Sequence, residues 1–67
     1  MEAILVQVNP KEIDFLNKII EGYDGLAMVT TADAKEGLVE VHVTPDTREE
    51  VIRILEDFPV PVKILRR

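Results

Sequence analysis

Apolar and polar residues alternate over four short runs, Ala3–Val8, Leu26–Thr31, Leu38–Val43 and Val60–Leu65, and between these runs the spacing changes. Alternation is the period of a half-buried strand, because successive side chains leave a strand on opposite faces. In the first run Ile4, Val6 and Val8 share one side while Leu5 and Gln7 share the other. The purely aliphatic side is expected to face the core. After the first and third runs the apolar residues recur three and four apart, which is the helical period. The segment order is therefore β-α-β-β-α-β.

Local chemistry sharpens the ends of these segments. Asn9-Pro10-Lys11-Glu12 makes a helix start, with Asn9 as cap, Pro10 where a missing N–H costs nothing, and Glu12 placed to close a capping box. The helix is expected over Pro10–Glu21, with Ile13, Leu16, Ile20 and Tyr23 as its apolar stripe, widened by Phe15 and Ile19. Gly22 is expected to end it in a left-handed conformation before Asp24-Gly25 turns the chain. A second helix is expected over Asp46–Asp57, capped either by Thr44 ahead of Pro45 or by Asp46 with Glu49, and burying Val51, Ile54, Leu55 and Phe58. Pro59 stops it. Pro61 falls inside the last strand, which only an edge position tolerates.

Between the second and third strands, Lys35-Glu36-Gly37 fits a three-residue hairpin loop with a left-handed glycine. That loop pairs Ala34 with Leu38, Ala32 with Glu40, Thr30 with His42 and Met28 with Thr44, leaving Val29 and Thr31 inside with Val41 and Val43.

Two helices packed on one face of a four-stranded antiparallel sheet, in the order 4-1-3-2, is the α+β ferredoxin-like sandwich. The length of 67 residues allows one such domain, 1–67. The architecture hosts many unrelated activities, so function has to come from particular residues. A chain this small buries only about 60% of the surface its unfolded form exposes. Self-association is expected to supplement its stability, since no cysteine is present to form a disulfide.

The lack of cysteine also removes iron–sulfur clusters, thiol catalysis and thiolate zinc sites. Thirteen acidic against eight basic residues give a net charge of −5, and the central strands carry no phenylalanine, tyrosine or tryptophan on which a base could stack. A nucleic-acid partner is therefore not expected. Met1-Glu2 leads straight into an alternating strand and no long apolar run follows, so neither a leader nor a membrane partner is expected and the cytoplasm is the expected location. No phosphate-cradling glycine motif occurs, and no cofactor or metal is expected.

Candidate chemistry centres on Glu40 and His42, two apart on one strand face, with Thr30 across from the histidine. They could act as a general acid–base pair, or start a metal site that would still need further ligands. No second histidine is available to supply one. Glu49-Glu50 and Glu56-Asp57 read as a solvated helical surface on which Glu49 can pair with Arg53. Acylphosphatase-like activity would need an arginine-bearing loop after the first strand, where this chain has Asn9-Pro10-Lys11.

The βαββαβ pattern is similar to that of ACT-type regulatory domains, which bind amino acids at dimer interfaces. Those usually place a glycine at the start of the first helix, where Asn9-Pro10 stands here. The stretch Glu21-Gly22-Tyr23-Asp24-Gly25-Leu26-Ala27-Met28-Val29-Thr30-Thr31, followed by Glu36-Gly37-Leu38-Val39-Glu40, resembles a small uncharacterised family of bacterial domains of unknown function. The resemblance covers nearly the whole chain and implies no particular activity.

The expected function is that of a non-catalytic binding or regulatory module, working as a homodimer. Leu5, Leu26, Met28, Thr30, Leu38 and Leu65 are its candidate interface residues, interspersed with Gln7, Glu40 and Lys63. The second strand offers an edge without proline or charge over Leu26–Thr31, and pairing there is slightly favoured over contact through the open face. The fourth strand is a poorer edge, because Pro61 lacks a donor and Arg66-Arg67 repel a second copy. The alternative is a small enzyme or ligand-binding domain using Glu40 and His42 on the open sheet face.

Overall fold

The computed structural model describes residues 2–67; Met1, the first residue of the expected domain, lies outside the described residues. The chain runs β1 (Glu2–Gln7), a 3-10 turn (Pro10–Glu12) leading into α1 (Ile13–Glu21), β2 (Met28–Asp33), β3 (Leu38–Val43), α2 (Arg48–Glu56) and β4 (Lys63–Arg66). The strands form one antiparallel sheet in the order β2-β3-β1-β4, which is the expected 4-1-3-2 order read from the opposite edge. Both helices lie on one face, giving a ferredoxin-like α+β sandwich.

Alternation along the two central strands builds the core. Ile4, Val6 and Val8 from β1 and its extension meet Val39, Val41 and Val43 of β3, and the helices close over them with Ile13, Leu16, Ile20, Val51, Ile52 and Leu55. The β1–β3 ladder is unbroken from Glu2↔Val43 to Gln7↔Leu38, so the inward sets of both strands stay in register. Asn9 caps the first helical turn as expected, its side chain accepting from Lys11 N at 3.0 Å. At α2 the Thr44 alternative is built: Thr44 and Thr47 exchange backbone-to-hydroxyl bonds at 3.1 and 3.3 Å, and Arg48 N donates to Thr44 O at 3.0 Å.

The helical stripes differ from expectation at their flanks. Ile52 is buried, whereas Ile54 and Phe58 are only half-buried. Val51, Ile52 and Leu55 face the sheet, and Phe58 lies edge-on to Phe15 of α1 with ring centroids 6.1 Å apart. Tyr23 is exposed because it lies in the turn beyond α1. Gly22 stays in the right-handed helical basin, with φ −68°. The left-handed residue is Gly25 at φ 71°, inside a turn closed by Leu26 N donating to Tyr23 O at 3.0 Å.

The β2–β3 hairpin also corrects the expected register. Asp33 Oδ1 accepts from Lys35 N and Glu36 N at 3.1 and 3.3 Å, which enlarges the loop to Ala34–Gly37. Ala32 and Asp33 together oppose Leu38, so Thr31 pairs with Val39, Thr30 with Glu40 and Met28 with His42. The pairing is displaced by two residues from expectation. Because the strand period is two, Val29 still shares the face of Val41.

Gly37 is left-handed as expected, with φ 71°. Val8 N donates to its carbonyl at 2.9 Å, and a Cβ here would sit 1.8 Å from Val8 O. At the opposite edge Pro59 and Pro61 delay β4 until Lys63, so Pro61 precedes the strand and does not lie within it. A second bulge sets Leu65 and Arg66 together opposite Leu5. Among the described residues no helix is long and apolar enough to cross a membrane.

Candidate functional site

The residues that alternate with the buried ones form the uncovered face of the sheet: Ala3, Leu5 and Gln7 on β1, and Leu38, Glu40 and His42 on β3. Strand pairing arranges them in rows. Met28, His42 and Ala3 form one row, Thr30, Glu40, Leu5 and Arg66 the next, and Leu38, Gln7 and Lys63 the third. Glu40 thus stands between Thr30 and Leu5, at the centre of the face.

The expected link between Thr30 and His42 exists despite the corrected register. Thr30 Oγ1 lies 2.8 Å from His42 Nε2, reaching diagonally across the pair of strands. Which atom donates depends on the imidazole tautomer. Glu40 forms no hydrogen bond or ion pair with its side chain among the described residues, so Glu40 and His42 share a face without being joined. Among the described residues no group of three or more potential ligands could hold a metal ion.

A cavity of about 280 Å³ beside His42 is lined by Leu26, Met28 and Val43. A larger cavity, about 580 Å³, lies at the far end of the sheet among Gln7, Asn9, Pro10, Glu36 and Lys63. Gln7 Nε2 donates there to Glu36 O at 2.9 Å. The larger of these two cavities and the residues with the most chemical potential are therefore in different places.

The six candidate interface residues do not occupy one surface. Leu5, Leu38, Met28 and Thr30 lie on the uncovered face, and Leu65 sits at the β4 bulge and is 42% exposed. Leu26 packs against the core cluster. The sequence did not reveal that Arg66 joins the central row, because the bulge that sets it beside Leu5 interrupts the alternation of β4. Its neighbours in composition behave differently. Arg67 pairs with Glu56 at 2.8 Å and Arg48 with Glu2 at 3.3 Å, whereas Arg66 and Lys63 make no ion pair among the described residues.

Residues 6–62 match the sequence profile of a domain of unknown function, DUF4911. The chain belongs to this family. The match runs from Val6 near the end of β1 to the residue before β4, so it takes in both helices, β2, and the β3 strand that carries Glu40 and His42. No curated protein and no solved structure matches the chain. Membership in the DUF4911 family establishes the resemblance to an uncharacterised small family and brings no activity with it.

Proposed function

We propose that this DUF4911 domain is a non-catalytic binding module that works by contact and self-associates through the uncovered face of its sheet. The observation that carries the reading is the one-sided cover: both helices pack on the face of Ile4 and Val41, leaving Leu5 and Leu38 half-exposed among polar residues on the other. A mixed apolar and polar face of this kind suits a protein contact better than bulk solvent. The β2 edge is the weaker candidate, since the bulge at Ala32 and the charge of Asp33 cut short its regular stretch.

Sedimentation equilibrium up to about 1 mM is the test, because a small interface associates weakly. Concentration-dependent association abolished by Leu5→Glu, with folding intact, supports the reading; a monomer throughout the range overturns it. A second reading, a small enzyme or ligand-binding domain, draws on the Thr30–His42 contact at 2.8 Å and the neighbouring cavity of about 280 Å³. A melting temperature that rises by several degrees with zinc, nickel or manganese would favour it, because a ligand of the folded state must stabilise that state.

A further inference from the structure

The row Glu40, Leu5, Arg66 crosses the middle of the uncovered face as negative, apolar, positive, on three adjacent strands β3, β1 and β4. Neither charge has an ion-pair partner among the described residues, although Arg48 and Arg67 both do. A surface that carries opposite charges at equal distances from a central leucine is complementary to itself under one operation only. When a second copy is stacked face to face, with a twofold axis running along β1 between the sheets, left and right are exchanged. Its β4 then lies over β3 and its β3 over β4, while Leu5 meets Leu5.

We propose that the partner of this face is a second copy of the chain in that arrangement, with Glu40 of each copy paired to Arg66 of the other. The proposal rests on the contact reading above and specifies its partner and its register. The neighbouring row obeys the same symmetry. Gln7 comes over Gln7, and Leu38 comes under the aliphatic stem of Lys63, whose ammonium can stay in water at the rim. The small Ala3 leaves room on the axis at the other end. Aligned packing of two sheets about 10 Å apart is within reach of a glutamate and an arginine extended toward each other.

The axis along β1 overlays three strands and leaves β2 outside the contact. Three strands about 4.8 Å apart, β1 and β3 of six residues and β4 of four, make a patch of roughly 250 Å² per copy in projection, well below a standard interface. The dimer is therefore weak and depends on its charge pairs, which high salt should loosen.

Reversing the charges one at a time provides the test, using Glu40→Arg and Arg66→Glu, with sedimentation equilibrium up to about 1 mM as the readout. In a homodimer of either variant both cross-pairs become repulsive, and association should weaken at least about tenfold. Mixed in equal amounts, the two variants present two arginines to two glutamates. The mixture should then associate about as strongly as the natural chain, as should the double variant. At concentrations where the chain is monomeric, circular dichroism and melting temperature of each variant should be unchanged, since neither residue has an ion-pair partner among the described residues.

Mixing that restores nothing overturns the proposal. So does a natural chain that dimerises indifferently to both reversals; in that case association uses another surface and the broader contact reading survives. A monomer at every concentration overturns both.

Discussion

The two faces of this sheet are made from the same strands, residue by residue in alternation, yet they follow different rules. Beyond Glu2 at the start of β1, every position of β1 and β3 on the covered face is an aliphatic side chain with little or no exposure, from Ile4 and Val6 to Val39, Val41 and Val43. On the other face leucines sit between glutamate, glutamine and histidine, all of them half-exposed. The covered face is fixed by the demand to exclude water, which few side chains meet and any alternation reveals. The uncovered face needs only to suit whatever touches it, and that requirement leaves no period in the chain.

The contrast is sharpest between adjacent residues of β1. Ile4→Ala should cost about 2–5 kcal/mol by removing fully buried methyl groups, whereas Leu5→Ala should cost under about 1 kcal/mol in the monomer. Urea titration of both variants at low protein concentration measures the difference, and equal losses would show that the uncovered face is part of the folding core.

Where the sheet meets the loops, Gly37→Ala should destabilise by about 2–4 kcal/mol, because the backbone is left-handed and the new methyl would collide with Val8 O. A near-neutral result would mean that the hairpin can move away from β1. Phe58→Ala should cost about 1.5–2.5 kcal/mol, roughly half the value for a fully buried ring. The smallest effect is expected at His42→Ala, within about 0.5 kcal/mol, since its partner Thr30 is exposed and can turn to water. A large loss at His42 would move it from the contact surface into the framework of the fold.

Much of this fold is legible in the chain because single residues dictate it. Asn9 caps a helix, Gly37 supplies a left-handed turn, and the prolines push β4 to an edge. The misread details are those in which two neighbours compete for one role. Gly22 and Gly25 both suit a left-handed position, and the turn closed on Tyr23 selects the second. The hairpin register turned on Asp33, whose carboxylate binds two backbone N–H groups and so lengthens the loop.

The site shows the same division. Glu40 and His42 are placed on the uncovered face by simple alternation along β3. Arg66 is not, because its position beside Leu5 depends on a bulge formed by pairing between distant strands. Leu26 looked like a surface residue for the opposite reason: it precedes β2 and turns in against the core.

Contact through one face of the sheet is tested most directly by methyl and amide NMR spectra recorded from about 20 μM to about 1 mM, the range in which a small interface would associate. The expected result is concentration-dependent shifts at Leu5, Leu38, Glu40 and Arg66, with Ile4, Val6 and both helices unmoved. Spectra that do not change with concentration, or that change along the β2 edge or the helices while the uncovered face stays still, would contradict it.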